Sequence, residues 1–327
     1  MAHRCALAAL CGALLGCSPG VEDDVGQIPP GSWLADPLQP LPDDFDDVGL
    51  YAEPGDPTSV PDRAVPYEPR WPLWSSGSEK HRHLVLPEGA VVDNSSEHWQ
   101  FPPGTVFFKT FGYPRDGRFI PVETRVMHVE EDGGWGYEDY AWDAEGRSAQ
   151  KLDITFSTEV TVQTDDGPLA HTIPARLECR ECHESAPVFA LGFESFQLGP
   201  AMDDLEASFS QPNAPAGDID AGDPTTDAVL GLFVGQCTHC HNGSDGPASA
   251  FDLRPDVALA NVIDVETESS AMAAGVRIIP GDPAGSIIFQ AFSGETEDPE
   301  VGDMPPLGID RRDAEAVELL RGWIAGL

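Results

Sequence analysis

The chain is 327 residues long, enough for two or three compact domains with ordinary cores. Its 18 Lys and Arg stand against 56 Asp and Glu, a formal charge of −38. Charge of that sign repels nucleic acid and anionic lipid headgroups, which excludes both as charge-driven partners. It serves solubility or a salty habitat, and it would suit a basic protein partner.

Met1 to Gly16 reads MAHRCALAALCGALLG, with one Arg near the start and then a short run of Ala, Leu, Cys and Gly. That is the pattern of a signal peptide, too short to span a bilayer as a stable helix. It ends in Leu14-Leu15-Gly16-Cys17, which resembles the lipobox of bacterial lipoproteins. The resemblance implies cleavage before Cys17, a diacylglycerol on its thiol and a further acyl chain on its amine. Several acyl chains hold a protein on a membrane far better than one. Ser18 follows the cysteine, which in that family favours the outer membrane of a two-membrane bacterium. The expected location is therefore outside the cytoplasm, lipid-anchored, facing the periplasm or the cell surface. The alternative is an ordinary cleaved signal with Cys17 unmodified.

Residues 17–80 are dense in Pro, Asp and Gly, as in QIPPGSWLADPLQPLPDDFDD, and predict a mostly extended tether. Tyr67, Trp71 and Trp74 at its far end predict docking on the domain that follows. Across 81–175 the pattern changes to short alternating or apolar runs split by turn formers: HLVLPEG, GTVFFKTFG, ETRVMHVEEDGG, YEDYAWDAEG and LDITFSTEVTVQTDDG. Roughly seven such runs predict an antiparallel β domain, a sandwich or a barrel. From Arg176 the β pattern stops. Residues 176–222 predict a reduced haem-binding segment that borrows cover from the β domain, and 223–327 a mainly α domain, so the fold class is mixed.

The chain has seven cysteines. Cys5 and Cys11 leave with the signal, and Cys17 is the lipidation candidate. The other four lie in Cys179-Arg-Glu-Cys182-His183 and Cys237-Thr-His-Cys240-His241. Both match C-x-x-C-H, the attachment sequence of c-type haem. Two cysteines three apart on one helical turn present their sulfurs to the vinyl groups on one porphyrin edge. The adjoining His, here His183 or His241, then supplies a nitrogen to the iron. A Cys₄ zinc site or two short-range disulfides would leave the paired histidines unexplained. The cofactors expected are two covalently bound haem c groups.

The second motif is framed on both sides. Asp223 can cap a helix whose positions Leu230, Phe233, Val234 and Cys237 recur at helical spacing. Asp282-Pro283 reads as an N-cap and first helical residue before SIIFQAF. A loop Gly302-Asp303-Met304-Pro305-Pro306-Leu307-Gly308 follows, and Asp310 can cap a last helix bearing Ala314, Val317, Leu320, Trp323 and Ile324. Helix with C-x-x-C-H, linker, Met-Pro loop and closing helix resemble class I cytochrome c domains over about residues 224–327. The resemblance implies thioether bonds at Cys237 and Cys240, His241 as proximal ligand and Met304 as distal ligand. The first motif lacks such a frame. Met202 is its candidate sixth ligand, His171 the next, and an open iron the third possibility. His81, His83, His98 and His128 are scattered and form no site.

Electron transfer to another redox protein is the function these features predict, with no catalytic residue assigned. The alternatives are a dihaem peroxidase, whose two motifs each lie in a full-sized domain, and a haem-bearing subunit whose β domain docks a dehydrogenase.

Overall fold

The computed structural model describes residues 27–327, apart from 97–98, 187, 203–204, 213–216, 244–250, 268–272 and 308. The signal segment and Cys17 lie outside the described residues. Strands β1 (Ala64–Pro66), β2 (Glu79–Val85), β3 (Val106–Arg115), β4 (Arg118–Val129), β5 (Trp135–Trp142) and β6 (Ala149–Lys151) form one antiparallel sheet in sequence order. Strands β7 (Thr158–Thr164) and β8 (Gly167–Ile173) form a separate hairpin. Each run quoted above supplies a strand, but the product is one open sheet with an added hairpin, neither a sandwich nor a closed barrel. Tight connections explain the order. Asp116 and Gly117 both take positive φ, 53° and 71°, and so return β4 directly beside β3.

Period-two alternation divides the sheet into two faces. On the outer face Val85, Val106, Phe108, Val126, Tyr140 and Trp142 pack against Trp33, Leu34, Leu41, Phe45, Val48 and Leu50. The segment expected to run as a tether is therefore the lid of this core from about Ile28 onward. Its Pro and Asp residues make turns between buried apolar anchors, and each anchor contributes about 1.5–3 kcal/mol on burial. That is enough to offset the ordering entropy. Phe45 meets Tyr51, Phe108, Tyr140 and Trp142 edge-on. Phe45→Ala is expected to cost about 3–5 kcal/mol in denaturant unfolding; a tether would show no change.

The inner face carries Leu84, Phe107, Met127 and Tyr137, covered by Ala190, Phe193, Leu198, Met202, Leu205 and Phe209. This cover comes from α2 (Ser195–Leu198) and the turns on either side of it, with Cys179 of α1 (Arg176–His183) packed at its edge. The C-terminal part is built on α3 (Pro224–Gln236), α4 (Ala258–Val262), α5 (Ile287–Ser293) and α6 (Ala314–Gly326). It is not mainly α. These helices are short, and irregular backbone pinned by bridges such as Ile263–Ile278 and Val276–Ser286 fills the space between them. Asp223 caps α3 as expected, accepting from Thr226 N at 2.8 Å. The last helix is capped by Asp313, which accepts from the backbone of Glu315 and Ala316, and not by Asp310. Asp310 instead holds β8, accepting from Thr172 N at 3.0 Å and Thr172 Oγ1 at 2.8 Å. Asp282 heads a turn, accepting from Gly285 N, so α5 starts later, at Ile287.

Trp71 and Trp74 dock on this C-terminal part, while Tyr67 joins the inner β core. Gly231 and Gly235 open a groove on α3 for Trp71; a Cβ at Gly231 would lie 2.2 Å from Trp71 Nε1. Gln236 donates to Pro72 O and accepts from Trp74 N, and Trp74 Nε1 donates to Arg311 O at 2.6 Å. The strap 66–78 thus ties the sheet to α3.

Candidate functional site

Helix α3 ends where the second motif begins. Cys237 N still donates to Phe233 O at 2.8 Å, and then Cys240 N and His241 N both donate to Cys237 O, at 3.1 and 2.8 Å. One tight turn therefore holds Cys237, Cys240 and His241 together. They line a cavity of about 350 Å³ that Met304, Pro305, Pro306 and Leu307 also line. Phe233, Leu253, Ile287 and Leu320 complete a nearly wholly apolar lining, within the size range of small-molecule and cofactor pockets. Phe251 stacks on the His241 ring at 4.6 Å, and the Arg277 guanidinium lies over the Phe251 ring at 4.4 Å. Met304 packs against Ala273, Ile287, Ala291 and Val301, and its N donates to Ala291 O at 3.1 Å. Arg312 pins the same loop, bonding Asp303 and the carbonyls of Ala291 and Phe292. The four residues expected to act on the second haem thus face one space.

The first motif lies wholly within α1, whose start is closed by Ala175 N donating to Glu178 Oε2 at 2.7 Å. His183 Nδ1 donates to Phe189 O at 2.5 Å, which fixes the tautomer with Nε2 as the free acceptor. The ring meets Tyr137 edge-on at 5.6 Å, and Phe189 stacks on Trp135 at 5.4 Å. Burial pushes the His183 imidazole down to about 4, and the cations Lys109 and Arg125 add to the shift. A neutral imidazole is the state that ligates iron. Cys179 packs against the same cluster as Met202, which is 5% exposed. His171 does not reach this site. Both its nitrogens are engaged, Nδ1 with Tyr113 Oη at 3.0 Å and Nε2 with Glu123 Oε2 at 2.9 Å, because it closes a buried ion-pair cluster on β4.

The two motifs adjoin. Cys182 and Cys240 line the same cavity, and their interaction holds Cys240 below and Cys182 above the usual thiol range. Burial pushes Cys179 and Cys237 up to about 12. Asn242 Nδ2 donates to Ser185 O at 2.9 Å, a second link between the motifs. Cys182 also lines the second motif's cavity. None of the four cysteines is disulfide-bonded. Among the described residues no three His, Cys, Asp or Glu side chains are grouped to chelate a metal ion, so the Cys₄ arrangement is not formed. Axial ligation of a porphyrin iron asks less, at most one side chain from each face. Among the described residues no helix is long and apolar enough to cross a membrane.

Sequence reasoning missed two features. His239, between Cys237 and Cys240, lines the cavity with His241. A row of cations on the sheet's inner face stands beside α1, and its signal was present: HRHLV, FFKTF and ETRVM each place a basic residue inside an apolar run. No family model matches the chain, and neither the curated proteins nor the solved structures contain a match to it.

Proposed function

We propose that this chain is an exported dihaem c-type cytochrome that passes electrons between redox partners, held at the outer membrane through lipid on Cys17. The observation that carries the reading is the convergence of Cys237, Cys240, His241 and Met304 on one apolar cavity. The fit to a haem is chemical: two thiols for its vinyl groups, an imidazole and a thioether in the same lining, and an almost unbroken apolar surface around them. The haem iron, when bound, supplies a one-electron couple. The chain's own residues tune it. Phe251 fixes the His241 ring by stacking, and Pro305 and Pro306 stiffen the loop that presents Met304. The apolar wall keeps water from the iron, and His/Met ligation favours the ferrous state and a raised potential.

At the first motif, the hydrogen bond from His183 Nδ1 to Phe189 O leaves Nε2 for iron and raises the basicity of the ring. Met202 is the proposed ligand on the other side, supported by its place in the cluster that receives Cys179. Cys182 and Cys240 line the same cavity, which brings the two attachment edges close together, so electrons can cross between haems without leaving the chain.

The test uses protein made in a host with haem-attachment machinery. Reductive titration is expected to take up two electrons per chain, and the reduced protein to pass them to an oxidised acceptor protein without turning over hydrogen peroxide. Steady peroxide turnover with a reduced donor would favour the peroxidase reading instead. Met304→Ala is expected to lower the second haem's midpoint potential and to abolish the weak red absorption of ferric iron bound to thioether sulfur. An unchanged potential with that band intact would assign the ligand elsewhere.

A further inference from the structure

The inner sheet face beside α1 carries charge that the protein does not neutralise. Arg82 on β2, Lys109 on β3 and Arg125 on β4 are directly opposed across the strands, so all three side chains leave the same face. Lys80, one pleat along β2, joins them; its ammonium lies 5.8 Å from the Phe111 ring, which Lys109 and Arg125 also approach. In a chain with only 18 basic residues, four stand together on three strands. Arg125 is paired with Glu123 at 2.5 and 3.1 Å. The others are not paired. Arg82 is 5% exposed and its guanidinium makes no hydrogen bond or ion pair among the described residues. Lys109 is likewise without a carboxylate or carbonyl partner, and Lys80 reaches only Ser78 O, at 3.3 Å. Glu68 is exposed and acts on Arg82 and Lys80 only from beyond ion-pair range.

Such an arrangement is costly by itself. A guanidinium cannot shed its proton, and a charge with little solvent around it and no counterion is held at a cost even after relaxation. Lys80 and Lys109 show the strain in another form: burial pushes Lys80 down to about 7 and Lys109 well below the usual lysine range. The cluster is also close to the first motif. Lys109 and Arg125 act electrostatically on His183, and Lys109 on His239. The next row on the same face, Leu84, Phe107, Met127 and Tyr137, is apolar. Within one pleat repeat, about 7 Å, the floor beside His183 changes from apolar to cationic. A haem has the same polarity: an apolar ring with two carboxylates on one edge.

We infer that Arg82 and Lys109, with Lys80 beside them, form the binding site for the propionate carboxylates of the first haem. The β sheet would then be part of that haem's pocket, which explains how a segment as short as 176–222 can hold a cofactor. The inference rests on the reading that α1 carries a haem, and its test separates the two. Arg82→Gln, Lys109→Gln and the double variant are made as holoproteins, and both midpoint potentials are measured by spectroelectrochemistry. Loss of a cation beside the propionates favours ferric iron, so the first haem's potential should fall, furthest in the double variant, while the second haem's should move less. Arg82→Lys, which keeps the charge, should restore most of the potential. If Arg82→Gln does not fold, Lys109→Gln on its half-buried position reads the same shift. Two haems present with neither potential moved would overturn the propionate site and leave the cytochrome reading standing. No haem on the wild-type chain would overturn both.

Discussion

Replacing Cys237 and Cys240 together by Ala is expected to leave one haem per chain, counted by pyridine haemochrome, and a markedly less stable C-terminal domain. The second effect follows from the cavity. Phe233, Leu253 and Leu320 line it and also belong to the core cluster of α3, α5 and α6. At about 24 cal/mol per Å³ of residual void, a cavity of about 350 Å³ costs on the order of 8 kcal/mol if its walls stay apart. That is comparable to the whole stability of a typical domain. The walls will close part of the gap, but the proposed haem would still be the largest single filler of this core. The variant should therefore melt well below the wild type, with the sheet retained. Two haems still bound to the double variant would sink the assignment of these cysteines.

Glu123→Gln is expected to destabilise the sheet by about 3 kcal/mol in denaturant unfolding. Glu123 is completely buried and binds Arg125 through both oxygens while accepting from His171 Nε2. Burial alone would raise its carboxyl, yet Arg125 and His171 outweigh it and hold the group at about 2. Removing one partner of a buried pair costs about 3–5 kcal/mol, because the remaining charge has no counterion. Here a reserve exists. Asp139 lies 3.9 Å from Arg125 Nε, and burial, followed by the charge of Glu123, holds its carboxyl well above the usual range. Once Glu123 is neutralised, Asp139 can ionise and take over. The single variant should therefore lie near the low end of that range, and Glu123→Gln with Asp139→Asn near the high end, a non-additive pair in denaturant unfolding. The pH dependence has a definite sign. Because the folded value lies below the ordinary 4.5, the contribution of Glu123 is complete above about pH 4.5 and is lost as pH falls toward 2. The gap between wild type and variant should close over that window; a gap that widened toward acid would contradict the pairing.

How far the sequence spoke for this structure depends on whether the signal was local. Strand runs and the Asp116-Gly117 turn were readable because alternation and turn chemistry act within a few residues. The four cysteines and their histidines were readable for the same reason, and Met304 because prolines and a capped helix frame it. The lid made by Trp33, Phe45 and Leu50 was not readable. Its composition resembles a tether, and only the opposing sheet face gives those side chains somewhere to go. The meeting of Cys182 and Cys240 at one cavity was equally invisible, since it joins segments held together by Trp71 and Trp74 on α3 and not by any local pattern. The cations Arg82, Lys109 and Arg125 were visible singly as basic residues in apolar runs, but only strand register brings them to one face.

Both C-x-x-C-H motifs are proposed to carry covalent haem, and mass spectrometry of the denatured wild-type chain, made with haem-attachment machinery present, reads this at each cysteine pair. The expected spectrum shows one species heavier than the lipidated polypeptide by two haems, with peptides spanning Cys179–Cys182 and Cys237–Cys240 each carrying one. A chain that sheds all haem on denaturation, with four free thiols at Cys179, Cys182, Cys237 and Cys240, would contradict it.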